Sequence, residues 1–336
     1  MVVRFVDRVA ELSVLQGFAK RGAGVPIYLY GPEGCGKTRL LRELVSRLEG
    51  ARDYLVVYVD ALEERDPGRA VRGSEELRRL LLDAVRNAAG GPLGVLLAYA
   101  VTRVVSSLER RLVEGRHVVV IVDDVARPLG LGRLEAYVKS LLRLVEYDLA
   151  ELYPASVLVV ASTSEGLSLE RLRRHPTWVS LRLLWSLPRS AFHELAAGLG
   201  APDTGIVEEA WRLTGGNPRA LIQVATAYMW DIGAWLRGLD ASLAAPLVAE
   251  ARARGLLHAL QRVVADPDSI VAEADPALQQ VARLLLENNL IVYKAVATLT
   301  GETIPADPGL GIGSYYAWQL PAYRELLRRR LGEAGG

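Results

Sequence analysis

An α/β fold is what this sequence predicts: a core with a parallel five-stranded sheet, then a helical lid, then a C-terminal winged-helix-like unit. Three observations predict it. The first half alternates short β-branched runs with amphipathic stretches, the pattern of a parallel sheet covered by helices. Its β runs are almost continuously apolar, which indicates burial on both faces. After Pro188 the alternation stops and helical periodicity takes over.

Taken in order, the strands are expected at 27–30, 54–59, 117–122, 156–160 and 179–183. Between the second and third lies an insertion, 61–116, helical by its spacing of Leu77, Leu80, Leu81 and Val85 and broken at Gly90, Gly91 and Pro92. Helical segments at 189–199, 206–214 and 218–231, punctuated by Gly215 and Gly216, make the lid. Helices near 246–263 and 276–288 then precede two β-like runs, 290–293 and 315–318, and a closing helix from Ala322. The domains are therefore expected at 1–187 for the core, 188–240 for the lid and 241–336 for the winged-helix-like unit.

At 336 residues, 51% of them apolar, the chain has enough apolar material for two or three packed domains, and intrinsic disorder is excluded. Lys+Arg 40 against Asp+Glu 39 leaves a formal charge of +1, so the strong positive field of a general nucleic-acid binder is missing. Cys35 is the single cysteine and forms no intramolecular disulfide. With acids among the first twenty residues and no apolar leader, a cytoplasmic protein is expected. The most apolar run, 92–108, is interrupted by Thr102 and Arg103 and is shorter than the roughly 20 residues of a membrane span, so it reads as a buried helix. Only 4 of the 40 basic residues are Lys, and Asn, Gln, Met and Cys are scarce, which fits a thermophilic source.

The segment Gly31-Pro32-Glu33-Gly34-Cys35-Gly36-Lys37-Thr38 spells G-x-x-x-x-G-K-[ST]. Its glycines let backbone N–H groups turn toward phosphates, Lys37 supplies a cation to the β and γ groups, and Thr38 offers a hydroxyl to Mg²⁺. The context agrees. A strand at 27–30 precedes the loop, and Leu40, Leu41, Leu44 and Leu48 mark a helix whose N-terminus faces the phosphates. Cys35 is expected to be small filler within this loop. The ligand implied is ATP or ADP with Mg²⁺.

A metal-bound triphosphate also needs an acid at the end of a neighbouring strand, and the run 117–122 delivers Asp123 and Asp124 there. Asp123 is expected to hold the Mg²⁺ water shell with Thr38, and Asp124 to polarise the attacking water. The run 156–160 ends in Ala161-Ser162-Thr163-Ser164, which puts hydroxyls at the edge where ligands sit in open α/β sheets; Thr163 or Ser164 is the expected γ-phosphate sensor.

Together these features resemble the archaeal ATPases of the STAND branch of P-loop NTPases, the MNS-like clade, which are related to AAA+ proteins. The residues carrying the resemblance are Phe5, Arg8, Glu11 and Leu12 for the N-terminal F-x-x-R-x-x-E-L box, Tyr30 to Thr38 for the Walker A motif, and Gly215, Gly216, Asn217 and Pro218 for the G-x-P motif of the lid. The resemblance implies that Arg8, with Val6 and Val9, lines the adenine pocket, and that Pro218 caps the base or ribose. It also implies that Arg219 stands like the sensor 2 arginine, and that Arg39 joins the loop as a nucleotide contact. An arginine finger, if supplied to a neighbouring subunit, falls among Arg171, Arg173 and Arg174. Asp124 stands where efficient AAA+ hydrolases carry glutamate, which implies slow turnover.

The function these readings give is an ATP-binding protein with slow Mg-dependent hydrolysis, acting as a nucleotide-controlled molecular switch on an unidentified protein partner. The alternative is a DNA-binding ATPase resembling archaeal replication initiators. Against it, residues 241–336 hold 9 Lys+Arg and 10 Asp+Glu, and the candidate recognition helix offers only Arg283. Oligomer formation is left open, and a small-molecule kinase lacks any recognisable acceptor site.

Overall fold

Parallel pairing carries the core of the structure, a computed structural model that describes residues 5–88, 90–164 and 166–333. Strands β1 (Ile27–Tyr30), β2 (Tyr54–Asp60), β3 (Val71–Gly73), β4 (His117–Asp123), β5 (Ser156–Ser162) and β6 (Ser180–Leu183) form one sheet in the order β3-β2-β4-β5-β1-β6. The sheet has six strands where five were expected. The extra one, β3, lies within the 61–116 insertion and runs antiparallel on the β2 edge, Tyr58 opposite Arg72. Three residues in an Arg- and Gly-rich stretch carry no period, so only the pairing with β2 makes them a strand.

The other five strands are parallel, so their C-terminal ends open on one side. There the register sets Asp60 beside Asp123, and Tyr30 leads directly into the glycine-rich loop. Helices α1 (Val9–Arg21) and α2 (Lys37–Leu48) cover one face, where Leu12, Leu15, Leu40, Leu41 and Leu44 meet Val119 and Ile121. The helices Glu75–Arg86, Leu93–Ser106 and Leu131–Arg143 cover the other. Leu93–Ser106 is the apolar run read from sequence; it is buried through Leu97, Ala98 and Val101, and no described helix is long and apolar enough to cross a membrane.

Past Pro188, the helices Arg189–Gly198, Thr204–Thr214, Pro218–Thr226 and Ile232–Leu239 enclose a separate core around Phe192, Leu221 and Trp235. The remaining chain gives Ala245–Ala253, Leu257–Ala265, Pro276–Glu287, the antiparallel pair β7 (Ile291–Tyr293) and β8 (Tyr316–Trp318), and Pro321–Glu333. The single helix expected near 246–263 is two, divided where Gly255 takes a left-handed φ of +69°. This C-terminal part packs tightly on the core. Tyr30, Leu169 and Leu183 belong to its apolar cluster, and Leu183 exchanges backbone hydrogen bonds with Ala297 and Leu299 at 3.0 and 2.9 Å, so residues 297–299 pair with the last residue of the β6 edge.

Candidate nucleotide site

Backbone crowding explains the glycines of the loop. A Cβ at Gly31 would stand 2.0 Å from the Leu184 carbonyl oxygen, and one at Gly34 would stand 2.6 Å from Arg219 Cβ. Both are far inside van der Waals contact, so the loop can pass between β6's continuation and the lid only without side chains at these points. Cys35 is fully buried beneath the loop, its thiol directed at the Leu184 carbonyl, which fits the filler role expected of it.

Gly36 caps α2 with no side-chain hydrogen bond, which leaves the first-turn N–H groups available to an anion, and the helix dipole adds to their attraction. Lys37 is 5% exposed, and its Nζ donates to the carbonyls of Gly31 and Pro32 at 3.0 and 3.2 Å. The ammonium is thus folded back over the loop it serves. Thr38 follows it at the helix start, half-buried on the wall of the cavity.

The two acids have different surroundings. Asp123 is 1% exposed and both its oxygens are occupied: the Tyr58 hydroxyl donates to Oδ2 at 2.8 Å and the Ser162 hydroxyl to Oδ1. Asp124 faces the cavity, in a left-handed backbone conformation with φ +52°. Its N–H donates to Ser162 Oγ at 3.1 Å and its Oδ1 accepts from Ser164 at 3.0 Å. Burial, reinforced by the charge of Asp123, pushes the Asp124 carboxyl above its ordinary pKa, against the opposing pull of Lys37. Behind them Arg42 donates to Tyr58 at 3.2 Å and pairs with Asp60 at 2.7 Å.

The lid closes the loop from above. Asn217 is 1% exposed; its Oδ1 caps the helix Pro218–Thr226 by accepting from Ala220, and its Nδ2 donates to the Glu33 carbonyl at 2.7 Å. Arg219 pairs with the Glu33 carboxylate at 2.9 Å on the solvent side of the cavity. From below, Arg8, 6% exposed, pairs with Glu11 at 2.6 Å and donates to the carbonyls of Cys35, at 3.1 Å, and Trp185.

Between these parts lies a cavity of about 490 Å³, ample for a small ligand. Its lining combines Gly34 to Thr38, Asp124 and Ser164 with the apolar Phe5, Val6, Leu187, Leu195 and Ile222, and includes Pro218 and Arg219. Arg8 and Arg39 also line it.

Some expected positions fall elsewhere. Val9 is 72% exposed and outside the cavity, because the buried stripe of α1 runs through Leu12, Leu15 and Ala19 and leaves Val9 on the solvent side, while Arg8 precedes the helix in a left-handed conformation. Thr163 is buried, its N–H bonded to the Leu29 carbonyl, and Ser164 is the hydroxyl on the cavity wall. Arg171 pairs with Glu135, and Arg173 pairs with Glu170 while stacking 3.5 Å over the Tyr293 ring, so both are engaged within the chain. Sequence reasoning passed over Tyr58, Arg42 and Ser162 as partners of the acids, and Leu187, Leu195 and Ile222 as the apolar wall. The first three carry no motif: Tyr58 and Ser162 meet Asp123 through strand register and Arg42 reaches Tyr58 from α2, while Leu195 and Ile222 carry only lid-helix periodicity and Leu187 none.

A family described as an ATPase domain predominantly from Archaea matches residues 5–224. A thymidylate kinase from Citrifermentans bemidjiense is 40% identical over 94 residues, 26% of this chain, and the chain spans 38% of that relative's length. Among solved structures, the ORC2 protein of Aeropyrum pernix in ADPNP–ADP complexes aligns over 99% of this chain and 96% of its own, with 14% identity and a TM-score of 0.43. DnaA from Aquifex aeolicus bound to AMPPCP aligns over 85% and 78%, with 16% identity and a TM-score of 0.39. Drosophila ORC bound to DNA aligns over 91% and 90%, with 14% identity and a TM-score of 0.32.

Proposed function

Because the chain belongs to the family of ATPase domains found predominantly in Archaea, we propose that it binds ATP between the phosphate loop and the lid, hydrolyses it slowly with Mg²⁺, and acts in the cytoplasm as a nucleotide-controlled molecular switch on a protein partner. One observation carries this reading: a single cavity is lined both by the phosphate loop and by apolar side chains, Phe5 and Val6 from the N-terminal segment, Leu187 before the lid, and Leu195 and Ile222 from the lid. A triphosphate needs the first and an adenine base the second.

The donor groups fit Mg²⁺. Thr38 offers a hydroxyl to the cavity, and Asp123, buried at the end of β4, is the carboxylate proposed to hold the ion's water shell with it, which leaves Asp124 for the water. Among the described residues no group of three or more His, Cys, Asp or Glu gathers, and Mg²⁺ held by one or two carboxylates plus phosphate oxygens needs none. The ion would neutralise charge on the phosphate oxygens as the terminal bond breaks. The chain's own contributions are Lys37 and the N–H groups of α2, which hold the phosphates, and Asp124, which orients a water and accepts its proton. Ser164 fixes the Asp124 carboxylate through its 3.0 Å hydrogen bond.

Switching follows from the lid contacts. Asn217 and Arg219 both grip Glu33, so a nucleotide that reshapes the loop changes what the lid can hold. Three of the basic side chains that the DNA reading would call on are engaged within the chain: Arg283 pairs with Glu287, Arg324 bonds the carbonyls of Val264, Ala265 and Pro308, and Arg330 pairs with Asp240. The test is binding of labelled ATP to Lys37→Ala. Loss of binding is expected, and retention at wild-type affinity would overturn the proposal.

A further inference from the structure

Two buried amide side chains hold opposite ends of one loop residue. Asn217, from the lid, donates to the Glu33 carbonyl at 2.7 Å. Gln319, from the C-terminal unit, accepts the Glu33 N–H through Oε1, also at 2.7 Å, across 286 positions of sequence. Gln319 is 5% exposed, so the acceptor's end of the bond is shielded from water.

The segment holding Gln319 is anchored on both sides. Trp318 before it sits in the C-terminal core, and the Gln319 N–H donates to the Leu290 carbonyl at 2.8 Å. Leu320 and Ala322 after it belong to the lid core, and Pro321 lies against Gly215, where an added Cβ would stand 3.0 Å from its ring. Successive residues thus reach the C-terminal core, the loop and the lid.

A glutamine here is a poor choice for packing alone. Its Nε2 is buried and has no hydrogen-bond partner among the described residues, and a side chain of similar shape such as methionine would bring no unpaired donor of its own. What the glutamine supplies, and methionine cannot, is an acceptor for the Glu33 N–H.

We propose that Gln319 is a positioning residue of the phosphate loop, so that the C-terminal unit completes the nucleotide site. This rests on the loop being the ATP site proposed above. Movement of the β8-to-helix joint would release the Glu33 N–H and loosen the loop, and a nucleotide that reshapes the loop would pull on the same joint. A partner engaging the C-terminal unit therefore acts on nucleotide affinity without entering the cavity.

The experiment uses the full chain carrying Gln319→Met, with Gln319→Asn, which stays polar but is one methylene too short, as the second variant. Hydrogen exchange over residues 31–36 without nucleotide is expected to quicken roughly five- to tenfold in both, the weight of one buried hydrogen bond. The KM for ATP should rise by a similar factor with kcat held, and Gln319→Met should keep or raise the melting temperature. Unchanged loop exchange overturns the proposal. So does a Gln319→Met protein that melts earlier and exchanges faster throughout the C-terminal unit, since that marks a packing role. Should the wild-type chain bind no ATP, the exchange measurement still decides the role of Gln319, while the functional proposal alone fails.

Discussion

The Tyr58 hydroxyl donates to Asp123 Oδ2 at 2.8 Å, and both side chains are buried. Because Arg42 donates into the same phenol oxygen at 3.2 Å, the phenol's proton is committed to the carboxylate. Burial first, and then the charge of Asp123, pushes the Tyr58 pKa far up, so the phenol stays a donor at every physiological pH.

Removing that donor tests the weight of the pair. Tyr58→Phe is expected to cost about 1–3 kcal/mol, as for a buried carboxylate stripped of one hydrogen bond. Urea denaturation reads the loss, and the Mg²⁺ concentration for half-maximal turnover should rise with it. An unchanged midpoint would deny the bond any role.

Asp124 carries a prediction in kinetics. Asp124→Asn is expected to lower single-turnover hydrolysis by roughly 10²-fold while leaving ATP affinity in place, as for loss of a general base. Hydrolysis at the wild-type rate would remove Asp124 from the mechanism.

The same residue makes a pH prediction. Its pKa is raised in the folded chain, so the folded state holds the proton more tightly than the unfolded state. That stabilising proton is fully present below the ordinary carboxylate value and its contribution is lost as pH rises through the raised value. Wild-type stability should therefore fall across that window relative to Asp124→Asn, making the variant the more stable at neutral pH. Wild-type turnover should rise over the same window as the base form appears. Parallel melting curves from pH 4 to 8 check the first point and a rate profile the second.

Arg8 joins Glu11 to the carbonyls of Cys35 and Trp185 through one planar guanidinium. Arg8→Lys keeps the charge but not the fork, so it should weaken ATP binding and cost about 1–3 kcal/mol of stability with kcat unchanged. Calorimetric titration and thermal melting measure both. Wild-type behaviour in each would reduce Arg8 to a charge.

The five parallel strands and the loop were legible because each is a local pattern: β-branched runs, glycine spacing, and the 3.6-residue period of Leu40, Leu44 and Leu48. What was not legible depends on contacts between distant segments. Strand β3 exists through its pairing with β2, and the partners of Asp123 come from two neighbouring strands whose register no motif records. Val9 illustrates a finer failure. It is apolar and adjacent to Arg8, yet it starts a helix whose buried stripe runs through Leu12, Leu15 and Ala19, while Arg8, left-handed at the N-cap, reaches the Cys35 carbonyl instead. Gln319 could not have been singled out at all, since it is an unremarked glutamine until the C-terminal unit folds back onto the loop.

The two margins of the main sheet are treated differently. At β6, residues 297–299 bond the end residue Leu183 where an incoming strand would pair, whereas β3 ends the sheet with three residues and an outward Arg72. The last third of the chain is therefore also a guard. A shortened chain without it would expose a free strand margin beside Tyr30 and Leu183, and such margins recruit other chains. Truncation would then leave the protein prone to self-association.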